Sequence, residues 1–177
     1  MANLITSAQG SAHITPRQDS HWHQLMVGVE SFIVSGSFAP SIVTNNEISI
    51  GAGVGSLQGR FFDVDSGTLD SVTINNGTQG MNRIDTICFK ITVNNDSTQS
   101  GAWEVVEGTS SESDPVAPTI PSGDLDSGDT EAYLPIVNVT LTGVQISSVE
   151  VIAEQYDSFV HQDVVDAYVS AGWITLE

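Results

Sequence analysis

Two histidines flank a tryptophan at His21-Trp22-His23, and imidazole nitrogens are common ligands of first-row transition metals. Along an extended segment, positions i and i+2 share a face, so both rings could turn toward one ion. Copies arranged around a three-fold axis would then supply an octahedral nitrogen set. On a helix the two rings diverge by about 200° and one chain cannot chelate. We expect a helix at this position, which leaves His21 and His23 as exposed or interface side chains. A second chemistry-bearing pattern, Asp-x-Asp-Ser-Gly, occurs twice, as Asp63-Val64-Asp65-Ser66-Gly67 and Asp124-Leu125-Asp126-Ser127-Gly128. Alternating carboxylates beside a glycine turn offer the hard oxygens that Ca2+ takes, and Asp70 or Glu131 could add another. Neither stretch carries the later bidentate glutamate of a full calcium loop. Asp side chains accepting from backbone amides in turns explain the pattern with less.

The remaining candidates point away from catalysis. Arg83 and Asp85 share one face of an extended run and are expected to form a partly exposed ion pair that pins cross-strand register. The single cysteine, Cys88, lies within the apolar run Ile87-Cys88-Phe89-Lys90-Ile91 and reads as a small buried hydrophobe. Asp19 with His21 or His23 gives fragments of a nucleophilic triad, but no serine sits in a strand-turn-helix elbow beside them. No catalytic residue, resident cofactor or enzyme activity is expected.

The elements that must position these residues are mostly strands. Pro16 suits the first turn of a short helix over 16–27, which Gly28 ends. Leu25, Met26 and Val29 give that helix an apolar side. Over 32–152 the signals are β. Phe32-Ile33-Val34, Ile42-Val43 and the alternating Glu47-Ile48-Ser49-Ile50 lead to a glycine-rich turn, Gly51-Ala52-Gly53-Val54-Gly55, expected to be exposed. Gly59 is expected to mark a bulge. Val72-Thr73-Ile74 leads to an Asn76-Gly77 turn. The run from Arg83 to Val93 is the strongest strand, with an antiparallel partner over 103–107. A long polar loop follows over 108–130. Another strand covers 133–141, where Pro135 suggests an edge or entry position, and 145–152 is expected to be the last. Asp157 or Ser158 could cap a C-terminal helix over 158–171, followed by the apolar tail Trp173-Ile174-Thr175-Leu176-Glu177. This spacing predicts a mainly β protein, an antiparallel sandwich or open barrel with a short helix at each end. It divides into an arm and helix over 1–31, the β domain over 32–152, and a helix and tail over 153–177.

Charge narrows the partners. Lys90, Arg17, Arg60 and Arg83 are the only lysine and arginines, and the net charge is -18. Nucleic-acid binding needs cations that displace phosphate counterions, and anionic bilayers repel such a surface. No apolar run approaches a membrane span, and no basic, apolar leader opens the chain. Neither nucleic-acid binding nor membrane insertion is expected, and synthesis in a cytoplasm is.

In order along the chain, a set of short motifs resembles the small tail and baseplate proteins of tailed phages and prophages, the receptor-binding and baseplate-adaptor family. His13-Ile14-Thr15 precedes the short helix. Ala39-Pro40-Ser41-Ile42-Val43-Thr44-Asn45-Asn46-Glu47-Ile48-Ser49-Ile50 resembles the family's first core strand pair, and Leu57-Gln58-Gly59-Arg60 its Gln-Gly-Arg signature. The stretch from Val72 to Met81 with Arg83-Ile84-Asp85 resembles the central signature. Glu104-Val105-Val106-Glu107-Gly108-Thr109, Asp114-Pro115, Tyr133-Leu134-Pro135-Ile136-Val137 and Leu141-Thr142-Gly143 follow. The resemblance covers about residues 13–152. It implies a virion component at the tail tip, made in a host bacterial cytoplasm, forming a homotrimer and joining other tail or baseplate proteins. The chain stops soon after 152, where family members often continue into a receptor-binding head, which favours an adaptor or scaffold. Trp22, Leu25, Met26 and Trp173 are the expected attachment side chains. The alternatives are a carbohydrate-binding adhesin using Trp22, Trp103 and Trp173 against a host saccharide, and a capsid decoration protein.

Overall fold

The computed structural model of the chain describes residues 14–157. These hold one helix, α1 (Pro16–Val27), and eleven strands: β1 (Phe32–Val34), β2 (Pro40–Thr44), β3 (Glu47–Ile50), β4 (Gly53–Leu57), β5 (Arg60–Val64), β6 (Asp70–Thr73), β7 (Asn82–Val93), β8 (Gln99–Val106), β9 (Glu131–Thr142), β10 (Gln145–Val151) and β11 (Gln155–Tyr156). The expected C-terminal helix, Trp173 and the first part of the N-terminal arm lie outside the described residues.

α1 runs where its sequence signals place it. Thr15 Oγ1 accepts from the Gln18 amide at 3.2 Å, while Gln18 Oε1 accepts from the Thr15 amide at 3.0 Å. This reciprocal capping box satisfies two donors that a helix start otherwise leaves open. Pro16 takes the first turn, where its missing N–H costs nothing. Gly28, at φ 88°, closes the helix with its amide on the Gln24 carbonyl.

The strands form three sheets, ordered β11-β1-β4-β5, β10-β9-β7-β8 and β2-β3-β6. Pairing is antiparallel except between β1 and β11, and the sheets pack as a sandwich with no closed barrel. One apolar core joins them: Ile33, Leu57 and Phe62 from the first sheet, Ile87, Leu134 and Leu141 from the second, Ile48, Ile50 and Val72 from the third. β7 is the spine, pairing with β8 on one side and β9 on the other. Phe62 stacks on Phe89 with ring centroids 3.8 Å apart, bridging first and second sheets. Trp103 meets Phe89 edge-on at 5.5 Å and donates through Nε1 to Asp70 Oδ2 at 2.7 Å. That hydrogen bond ties the third sheet to the same cluster and places Trp103 inside the sandwich.

Several sequence expectations require correction. The glycine-rich stretch is not an exposed turn, because Gly53-Val54-Gly55 opens β4. A Cβ on Gly55 would collide with the Phe62 ring, and one on Gly53 would lie 2.6 Å from the Phe38 amide nitrogen. These glycines make room for the aromatic cluster. Asn76-Gly77 does not turn the chain. The reversal comes between Thr78 and Met81, where the Met81 amide donates to the Thr78 carbonyl at 3.0 Å and Gly80 adopts φ 78°. Gly77 is required for close approach, since a Cβ there would overlap the Gly143 carbonyl. Gly59 marks a two-residue hairpin turn and no bulge. Pro135 does sit at a locally edge-like position, as expected: β9 runs between β7 and β10, but β10 pairs with it only from Val137 onward, and the β7–β9 register shifts beside the Pro135–Cys88 pair. Among the described residues a further strand, β11, pairs with β1 beyond the expected end at 152.

Candidate functional site

The β4–β5 turn is the place where distant parts of the chain meet. Gln58 and Gly59 adopt φ 51° and 75°, the left-handed pair that matches strand twist in a two-residue hairpin. Left-handed glutamine is uncommon, and its polar groups hold it there. Its Nε2 donates to the Gly123 carbonyl at 2.6 Å, and its Oε1 accepts from the Leu125 amide at 3.0 Å. Its own carbonyl accepts from Arg60 Nη1 at 2.7 Å and from Gln24 Nε2 at 3.0 Å. Gly59 permits α1 to lie on the turn, since a Cβ there would stand 2.5 Å from the Ser20 carbonyl oxygen.

Asp126 is the second node. Its carboxylate accepts from Arg60 Nη2 at 2.9 Å and from Gln24 Nε2 at 2.8 Å, with His21 Nε2 at 3.6 Å. Its backbone carbonyl accepts from Arg17 Nη2 at 2.7 Å. Partial burial works against the Asp126 charge. The hydrogen bonds from Gln24 and Arg60 and the charges of Arg60 and His21 outweigh it and hold the carboxyl below its ordinary range. Arg60 also donates through Nε to Gln99 Oε1 at 3.2 Å. The result is a clasp: one face of α1, the hairpin turn and the Asp124–Asp129 loop share one hydrogen-bond network.

The clasp fixes the outer face of α1. Of the helix's residues only Ser20 and Val27 are buried. Trp22, Leu25 and Met26 are 62%, 82% and 66% exposed, with Ile14 and Val29 exposed at the two ends. The apolar side anticipated from Leu25 and Met26 therefore points outward, opposite to the usual amphipathic arrangement. Val29, expected on the same side, lies past the Gly28 cap and outside the helix. On α1 itself, Leu25 and Met26 stand three and four residues from Trp22, so the three exposed side chains form one continuous stripe.

Elsewhere the candidate residues make local contacts. His21 and His23 sit on a helix and part company: His21 reaches Asp126, while His23 Nδ1 lies 3.0 Å from the Gly59 carbonyl. A carbonyl can only accept, so that nitrogen carries the proton. Asp19 lies 3.9 Å from the same nitrogen. Asp124 accepts from the amides of Asp126 and Ser127 at 2.9 and 3.1 Å. The Ser127 hydroxyl leads the hydrogen bonds that hold its carboxyl below the usual range. Asp63 and Asp65 are exposed around the end of β5, and the Asp65 carbonyl accepts from Thr68. The two Asp-x-Asp-Ser-Gly copies thus do different things. Among the described residues no three His, Cys, Asp or Glu side chains converge as a bound metal would require. Burial, with Glu104 adding its charge, pushes the Cys88 thiol up to about 12, leaving it a poor nucleophile at neutral pH.

Arg83 and Asp85 correct a further expectation. The pair is buried, at 4% and 0% exposure, and bidentate, with Nε to Oδ1 and Nη2 to Oδ2 both at 2.8 Å. Arg83 also donates to Glu107 Oε1 at 2.8 Å and to the Asn75 carbonyl at 2.7 Å, and Asp85 accepts from the Gly108 amide at 2.9 Å. Lys90 lies between Glu131 and Glu104 at 2.8 and 3.1 Å. Every lysine and arginine of the chain is therefore engaged internally, and the acids dominate what faces solvent. Sequence reasoning missed Gln24, Gln58 and Asp126 as partners. The Gln58-Gly59-Arg60 motif was visible, but the helix and loop it gathers lie 34 and 67 residues away.

Compared with known proteins, the chain matches no family model and no curated protein.

Proposed function

We propose that this chain is a structural component of a bacteriophage tail tip or baseplate. In this reading it is a homo-oligomeric adaptor, or a scaffold for a receptor-binding protein, and α1 is its attachment element. One observation carries the reading: the Trp22-Leu25-Met26 face of α1 is left bare while the opposite face is clasped to the sandwich. A single helix with its polar side docked and its apolar side outward is arranged to meet another surface. The ordered tail-protein motifs support the choice of assembly. All four basic side chains are paired with groups of the chain itself, which fits a partner that is protein, because polyanions find little to bind.

Copies of the same chain are the first partner, with the Trp22-Leu25-Met26 face of α1 as the contact, and a trimer is the expected stoichiometry. Other tail or baseplate proteins are the second. Native mass measurement of the purified chain, with Leu25→Ser beside the wild type, tests the oligomer. A monomer at high concentration for the wild type would remove the Trp22-Leu25-Met26 face as a self-association element. Imaging of virions with an antibody to this chain tests the location, and label absent from the tail would overturn it.

Among the described residues Trp22 keeps the carbohydrate-adhesin reading open, since its exposed indole offers a stacking face whereas Trp103 packs against the core and donates to Asp70. A glycan array with Trp22→Ala separates the two: an adaptor gives no saccharide signal to lose.

A further inference from the structure

α1 is held to the body by an unusual kind of contact. Val27 is its only buried apolar side chain, and beside the His23 ring on Phe61 at 4.6 Å its docking is mostly polar: Arg17, Gln24 and His23 on backbone carbonyls, Gln24 and His21 on Asp126. Such hydrogen bonds exchange with water at little net gain. The helix is also short, at 12 residues, too short to persist alone in water. Gly28 at φ 88° joins it to the body, and the next fixed point is Ser31, whose hydroxyl accepts from the Gln58 amide at 3.2 Å. The segment before Ser31 can therefore open as a unit while the sandwich stays closed.

We infer that α1 is a latch: it opens by local unfolding, and the Gln24 contacts to Gln58 and Asp126 set how often it is closed and presents its Trp22-Leu25-Met26 face. This rests on the attachment reading of that face and adds its regulation. A partner that recognises the closed helix stabilises it by mass action, so occupancy of the face and closure of the latch are linked. Asp126, which acts through Gln24 of the helix, is then a positioning residue for attachment.

Hydrogen exchange on the full chain tests the latch, comparing wild type, Gln24→Ala and Asp126→Asn. The α1 amides should exchange at least about a hundredfold faster than the β7 amides, as expected for a sub-global opening. Gln24→Ala should quicken α1 exchange by roughly another tenfold and leave β7 unchanged, although alanine is the better helix former and would by itself slow it. Asp126→Asn should act in the same direction. An α1 as protected as β7, or indifferent to Gln24→Ala, overturns the latch. Raising the protein concentration until copies associate should slow α1 exchange alone. If it does not, while the variants behave as stated, the attachment reading falls and the latch stands.

Discussion

The molecule contains two arginine–carboxylate clusters that differ in how they are built. Arg83 and Asp85 are two residues apart on β7, fully buried and bidentate. Arg60 and Asp126 are 66 residues apart, the aspartate is a quarter exposed, and the pair recruits a glutamine from a third segment. The first cluster is pre-assembled, since a strand places i and i+2 on one face before any tertiary contact exists. The second exists only when the hairpin turn, the long loop and α1 have all arrived. A buried, locally assembled pair consolidates a core. A peripheral pair drawn from distant segments governs the position of the helix that rests on it.

That contrast can be broken most severely at Asp85. Asp85→Ala leaves the Arg83 guanidinium buried without its bidentate partner and the Gly108 amide without an acceptor. Denaturant unfolding should show a loss of about 3–5 kcal/mol, the usual cost of orphaning a buried charge. Gly59→Ala attacks the other cluster through its backbone. It forces alanine to φ 75° and presses a Cβ on Ser20. A loss of about 1–3 kcal/mol is expected from the strain, with lost amide protection confined to α1 and the β4–β5 hairpin.

Acid should separate the clusters without a mutation. Asp126 has a depressed folded-state pKa, so its contribution is complete above the ordinary aspartate value of about 3.9 and is lost as pH falls through the depressed value. Protection of α1 should therefore decline below that range in the wild type, and Asp126→Asn should flatten the decline. The Lys90 ammonium is raised, first by its hydrogen bond to Glu131. Its contribution is full below the ordinary lysine value of about 10.4 and fades only as pH climbs through the raised one. The smallest effect on stability belongs to the outer face of α1: Leu25→Ser should leave unfolding within about 0.5 kcal/mol of wild type while abolishing self-association in native mass measurement.

Legibility followed the same division. The span and caps of α1, the spine strand β7, its partner β8 and the mainly β class were readable, because each rests on residues close in sequence. The turn at Asn76-Gly77 and the exposed turn at the β4 glycines are not what the structure holds, for one reason. In each, a residue type that usually marks a turn is required by a neighbour elsewhere in the chain: the Gly143 carbonyl and the Phe62 ring.

The order of strands and breakers, the capping of one helix, the scarcity of cations and the shared face of Arg83 and Asp85 were written in the linear chain, since 3.6-residue and two-residue periodicities and charge counts are local quantities. Which side of α1 would face the body was not. The apolar side would ordinarily turn inward. It turns outward here because the hairpin turn and the Asp126 loop present carbonyls and a carboxylate to that helix, and those acceptors are matched by Arg17, Gln24 and His23 rather than by Leu25.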